Sequence, residues 1–74
     1  MPHESGQRYS VTVTHELVAP DGRSVAAVPW TRTVTMWALS PEDAKRKVEA
    51  WAKREFARPG FKVLANATEA KLAQ

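Results

Sequence analysis

Alternating hydrophobic and polar positions predict two β-strands in the first half of the chain. Within residues 8–18 every second residue is apolar or aromatic, which is the period of a strand with one buried face. That face carries Tyr9, Val11, Val13, His15 and Leu17, and the opposite face carries Ser10, Thr12, Thr14 and Glu16. The turn formers Pro20, Asp21 and Gly22 follow and predict a β-hairpin. The returning strand is expected to start at Ser24 or Val25, to be interrupted by Pro29, and to be most regular over residues 30–39.

The period changes at Ser40, and the new pattern predicts an amphipathic helix. Ser40 suits the N-cap position and Pro41 the first helical position. The acidic residues Glu42 and Asp43 then place negative charge at the positive end of the helix dipole. A stripe with helical spacing follows, made of Ala44, Val48, Trp51, Ala52 and Phe56. Because a residue before proline avoids the α region, the helix should end near residues 58–60.

Residues 61–67 alternate more weakly and predict a third strand, with Phe61, Val63 and Ala65 on one side. Residues 68–74 could extend this strand, form a helical turn or fray. With a right-handed crossover the third strand lies parallel to the second. Its expected place is beside the first strand, which gives the order 2-1-3 with every neighbour antiparallel. The prediction is therefore an α+β fold, a single ββαβ domain with a mainly antiparallel three-stranded sheet and one helix on one face. The predicted core is Val11, Val13, Val34, Met36, Ala38, Ala44, Val48, Ala52, Phe56, Phe61 and Val63.

Length and composition narrow the class of protein. The 74 residues form one domain, which we divide into a disordered tail (1–7), the folded unit (8–67) and a C-terminal extension (68–74). The chain has no cysteine, no apolar run near the roughly 20 residues of a membrane span, and no signal-peptide pattern. We therefore expect a cytoplasmic protein with no membrane association and no evident small-molecule substrate. The abundance of Ala, Val, Thr and Arg is typical of a GC-rich genome, as in actinobacteria and their phages.

The side of the sheet away from the helix is the first candidate for function. It should carry Thr12, Thr14, Thr31, Thr33, Thr35 and Trp37. Threonines suit exposed strand positions in any protein. A large aromatic on a flat exposed face, however, usually has a covering partner. We therefore predict a protein-binding face, used by a second copy or by another protein. The C-terminal tail and nucleic acid are further candidates for that cover.

Basic residues near the end of the helix are the second candidate. The net charge of +3 and the pI of about 9.7 keep nucleic acid among the possible partners. Most helix charges are expected to pair at i,i+4 spacing, as Glu42–Arg46, Asp43–Lys47 and Glu49–Lys53. What remains is a basic cluster near the helix end, made of Lys53, Arg54 and Arg58 with Lys62 adjacent, and Trp30 or Trp37 is available to stack on a base.

Catalysis is the weakest of the three hypotheses. Glu55 falls inside the apolar stripe and could pair with Arg32 or His15, but such a trio is far more often structural than catalytic. No spacing of ligand residues predicts a metal site, and His3 stands alone in the predicted tail. We therefore predict a protein that is not an enzyme and has no cofactor. The stretch Val34-x-Met36-x-Ala38-x-Ser40-Pro41-Glu42-Asp43-Ala44 resembles the strand-to-helix junction of many small ββαβ domains but identifies no family.

Overall fold

The fold is the predicted ββαβ arrangement. The computed structural model describes residues 6–25 and 29–73. Its elements are β1 (Gln7–Val18), β2 (Trp30–Ala38), α1 (Pro41–Glu55) and β3 (Lys62–Leu72). The three strands form one sheet in the order β2-β1-β3, and both pairings are antiparallel. The predicted fold class is therefore confirmed. Most of the predicted tail, including His3, lies outside the described residues.

The turn after β1 uses the predicted residues in the predicted way. The N–H of Gly22 donates to the carbonyl of Ala19 at 2.8 Å. Gly22 has φ +90°, a value that favours glycine. The carboxylate of Asp21 accepts from the N–H of Arg23 at 3.0 Å. An isolated bridge between Val18 and Ser24 begins the return. The next residues, 26–28, lie outside the described part of the chain.

The helix begins at the predicted cap. The Ser40 hydroxyl accepts from the N–H of Asp43 at 3.1 Å, and the Asp43 carboxylate accepts from the N–H of Leu39 at 3.0 Å. Asp43 also pairs with Arg46 at 2.7 Å and Lys47 at 3.4 Å. The Leu39 hydrogen bond, helped by these two cations and opposed by partial burial, lowers the pKa of the Asp43 carboxyl. Asp43–Lys47 is thus the predicted pair that forms.

Three details of the predicted helix are wrong. Arg46 bonds Asp43 at i,i+3 instead of Glu42, because the capping carboxylate lies within its reach. The predicted pair between Glu49 and Lys53 is replaced by a hydrogen bond from the N–H of Ala67 to Glu49. The helix also ends at Glu55, earlier than the proline requires.

The core lies between α1 and the helix side of β1. Val11 and Val13 of β1 and Val48 of α1 are its largest fully buried side chains. Ala38, Ala44 and Ala52 are also fully buried, as predicted. Four further predicted core residues are half-buried, namely Val34, Met36, Phe56 and Val63.

Phe61 is the one predicted core residue that is wrong, because 41% of its surface is exposed. It precedes β3 and belongs to a turn, in which its N–H donates to the carbonyl of Arg58 at 3.0 Å. The predicted strand over residues 61–67 therefore begins one residue too early.

β3 is longer than predicted and contains an irregularity. It continues through Leu72, which is the first of the three alternatives for residues 68–74. Its pairing with β1 shifts register between Thr12 and Val13. Next to this shift, the N–H of Ala67 donates to the Glu49 carboxylate of α1 at 2.8 Å. The helix thereby supplies an acceptor at the position where the ladder is disturbed.

Candidate functional site

The strand register brings the six predicted threonine and tryptophan positions onto one face. Thr12 pairs with Thr33, and Thr14 pairs with Thr31. Residues paired across antiparallel strands project to the same side of the sheet, and alternate residues along a strand share that side. Thr35 and Trp37 therefore join the same surface, away from α1. We call this surface the open face; its residues are Arg8, Ser10, Thr12, Thr14, Glu16, Thr31, Thr33, Thr35, Trp37, Leu64, Asn66, Glu69 and Lys71.

The open face is neutral and β-branched at its centre and carries one large aromatic. Trp37 is 57% exposed near one end, and Leu64 is exposed near the other. The hydroxyl of Thr14 donates to the carbonyl of Asn66 at 3.3 Å. Threonine side chains are stiff at χ1, so little side-chain entropy is lost when such a surface is covered.

A stack of aromatic rings forms a second candidate site, on the helix side of the sheet where α1 ends. The His15 ring lies 4.1 Å from Phe56, nearly parallel, and 5.6 Å from Trp30. The guanidinium carbon of Arg32 lies 4.9 Å from the centre of the Phe56 ring, a cation–π distance. These residues border a crevice of about 230 Å³. We call it the aromatic crevice; it is lined by His15, Leu17, Trp30, Arg32, Phe56 and Arg58.

His15 is the unusual member of this crevice. It is only 5% exposed, and its Nε2 atom has no hydrogen-bond partner among the described residues. Burial, together with the positive charge of Arg32, lowers the pKa of the imidazole. The ring is therefore neutral at pH 7 and packs mainly as an aromatic side chain.

The structure divides the four basic residues of the nucleic-acid hypothesis. Lys53 and Lys62 line the same depression of about 390 Å³, which His15 also borders. Arg58 lines the aromatic crevice, while Arg54 lines neither. Arg32 joins this basic end of the molecule, which the sequence reasoning missed. This role of Arg32 could have been found from its position on the helix side of β2, beyond the last turn of α1.

The hypothesised trio of Glu55, His15 and Arg32 does not assemble. His15 and Arg32 both contact the Phe56 ring, whereas Glu55 is exposed at the last residue of α1 and makes no ion pair within the described part of the chain. The Glu55 side chain is therefore in contact with water and not with the predicted partners. Across residues 6–25 and 29–73, no group of three His, Cys, Asp or Glu side chains could hold a metal ion.

Comparison of the chain with models of protein families, with curated proteins and with solved structures gives no match. No helix in the described ranges is long and apolar enough to cross a membrane. The open face and the aromatic crevice are thus the two candidate functional surfaces.

Proposed function

We propose that this protein is a non-enzymatic interaction module whose contact surface is the open face. The observation that carries the proposal is the exposure of Trp37 on a flat threonine surface opposite the only described helix. Tryptophan is enriched among the residues that dominate protein–protein contacts, so Trp37 would anchor one end of this face. The proposed partner is a second copy of the chain, stacked sheet on sheet.

The flat shape and the chemistry of the open face favour this occupant. Three strands spaced about 4.8 Å apart, over nine paired residues rising about 3.3 Å each, give a flat area of roughly 400 Å². Stacking two such faces would bury roughly 800 Å² in total, which is the size of a weak, transient contact. Two threonine surfaces can pack against each other as the inner faces of a β-sandwich do, about 10 Å apart. Thr12, Thr14, Thr31 and Thr33 carry no charge, and Glu69, which pairs with Thr12 on the β3 side, has Lys71 as an ion-pair partner at 3.7 Å.

Sedimentation equilibrium across micromolar concentrations tests the proposal, with the substitution Thr12→Lys at the centre of the face. We expect the wild-type chain to self-associate and Thr12→Lys to weaken association at least tenfold, because the ammonium would be buried against the second sheet. Ala50→Lys is the matched control, since it adds the same charge on the exposed side of α1. Equal association of all three proteins would overturn the proposal. A wild-type monomer would exclude the second copy and leave a foreign protein as the only occupant.

A second candidate function is binding of single-stranded nucleic acid at the aromatic crevice. One observation favours it: Trp30 is 43% exposed and lies beside Arg32 and Arg58 in the same crevice. An exposed indole can stack on a base while the guanidinium groups contact phosphate. Lys53 and Lys62, in the adjoining depression, would extend the basic track.

Fluorescence anisotropy of a labelled oligothymidylate at low and high salt tests this second function. We expect salt-sensitive binding that Arg58→Glu weakens at least tenfold. Lys71→Glu makes the same change of charge at the other end of β3 and should have a smaller effect. If the oligonucleotide is not bound at low salt, or if the two variants bind alike, the crevice has no role in nucleic-acid binding.

A further inference from the structure

The two edges of the sheet are built differently. β1 is paired on both sides, so β2 and β3 each have one side without a strand partner in the described chain. An unpaired strand edge presents a row of N–H and C=O groups that can template another strand. Proteins that stay monomeric usually protect such edges with lysines, bulges or covering groups.

The β3 edge has three protective features. It carries Lys62 and Lys71 near its two ends and a register shift in its middle. The side chain of Glu49 comes from α1 to accept the N–H of Ala67. A second strand could not pair regularly along this edge, because its register would be broken at the shift.

Among the described residues the β2 edge has no lysine and no register shift, and its one charge, Arg32, lies over the Phe56 ring of the helix side. Its nine residues, WTRTVTMWA, contain no lysine, proline, glycine or acidic residue. The nine pairs that it makes with β1 run without a register shift. Among the described loops, none of the backbone hydrogen bonds goes to a residue of β2. Within the described residues, the one hydrogen bond to the β2 backbone from outside the sheet is at its end, where Lys47 Nζ donates to the carbonyl of Trp37 at 3.3 Å.

The helix side of β2 is also incompletely covered. Val11 and Val13 of the central strand are fully buried beneath α1. On β2, Val34 and Met36 are only half-buried, and Trp30 is exposed. Apolar side chains therefore remain partly open to water beside an unprotected backbone edge. An antiparallel strand with apolar residues on the matching side would cover these side chains and also pair with the backbone edge.

We propose that this neighbour is β2 of a second copy, paired antiparallel about a two-fold axis at Val34. This register pairs all nine residues of β2 with the nine of its partner. It places Val34 opposite Val34 and Met36 opposite Arg32 on the helix side, and Thr33 opposite Thr35 on the open face. The side-chain period of a strand is preserved, so the two helices lie on the same side of a continuous six-stranded sheet.

Edge pairing does not depend on what covers the open face, but it changes the size of that face. The open faces of the two copies would join into one surface of roughly 800 Å², which is about the area per partner of a standard protein–protein interface. Edge pairing and sheet stacking use perpendicular two-fold axes and can occur in the same assembly.

Disulfide trapping tests the proposed register, and the absence of cysteine from the chain makes the result unambiguous. Residues directly opposite in an antiparallel pair have Cα atoms about 4.5–5.5 Å apart, which is within disulfide range. We expect Val34→Cys to form a covalent dimer under mild oxidation. Val63→Cys is the matched control, because Val63 is also half-buried on the helix side of an edge strand, and it should remain largely monomeric. Equal cross-linking of both variants, or none at Val34→Cys, would overturn the proposal.

A second pair of variants separates this proposal from sheet stacking. Val34→Lys places a charge at the β2 edge and should weaken edge association at least tenfold, whereas Val63→Lys should not; circular dichroism confirms that both are folded. In the double variant Thr12→Lys, Val34→Cys, the cross-link should persist, because Thr12 lies on the central strand. Loss of the cross-link in that double variant would show that association at Val34 requires the stacked open face and would overturn independent edge pairing. If Thr12→Lys leaves the mass unchanged while the cross-link persists, the open-face proposal alone fails.

Discussion

The side chains on the two sides of β1 have nearly the same shape, but one side is buried and the other is partly exposed. On the helix side Val11 and Val13 are fully buried, whereas on the open face Thr12 and Thr14 are partly exposed. Valine and threonine differ by the replacement of a methyl group with a hydroxyl. The difference between a hydrophobic core and a candidate contact surface is thus a few hydroxyl groups and the presence of α1.

The comparison also indicates why the open face needs no helix of its own. A hydroxyl beside a strand can hydrogen-bond to water or to a neighbouring carbonyl, as Thr14 does with Asn66. Such a face is stable when bare, yet its methyl groups and Trp37 remain available for a contact. A valine face in the same place would expose a large apolar patch and favour aggregation.

Exchanging the two residue types should have the largest effect on stability. Val13→Thr places a hydroxyl in the fully buried core and should lower the free energy of unfolding by about 1–3 kcal/mol. Thr12→Val makes the reverse exchange on the open face and should change it by less than about 0.5 kcal/mol. Urea denaturation measures both values. Equal losses in the two variants would show that the open face is packed in solution as tightly as the core.

The hydrogen bond between α1 and the β3 irregularity should have an intermediate effect. Glu49→Ala would leave the partly buried N–H of Ala67 without its acceptor and should cost about 1 kcal/mol. Glu49→Gln keeps an acceptor oxygen and should recover part of this loss. Hydrogen exchange at Ala67 gives a second measurement, since the amide should exchange faster in Glu49→Ala. Unchanged exchange would show that the carboxylate does not protect that amide.

Local signals in the sequence predict most of this fold. The Ser40 cap, the Pro20-Asp21-Gly22 turn and the alternation in β1 each act over a few residues, and each is confirmed. The strand order follows from crossover handedness, so it too is accessible without coordinates.

The remainder depends on contacts between distant residues. The sequence leaves the length of β3 open because its alternation changes phase between Ala67 and Ala70, where the pairing with β1 shifts register. Glu49 was assigned an ion pair on its own helix, but its acceptor role requires the position of Ala67. The aromatic crevice likewise joins the ends of β1, β2 and α1, and only the register shows that His15 and Trp30 are neighbours.

The smallest expected effect lies where the helix cover ends, at His15. Burial and the nearby charge of Arg32 lower the pKa of His15 below its ordinary 6.5, so the unfolded chain binds a proton more readily than the folded one. Stability should therefore be full above about pH 7 and should fall as the pH drops through 6.5 towards the folded-state pKa, with a slope of at most about 1.4 kcal/mol per pH unit. Thermal unfolding between pH 5 and 8 measures this, in a His3→Asn background that makes His15 the only histidine. The range stays above the pH at which Asp43 takes up its proton, so the two groups are separated.

His15→Phe keeps a ring between Trp30 and Phe56 without the titration, and its stability should be nearly independent of pH over the same range. An identical decline in both proteins would assign the pH dependence to another group and would mean that His15 is protonated as easily in the folded chain as in the unfolded one.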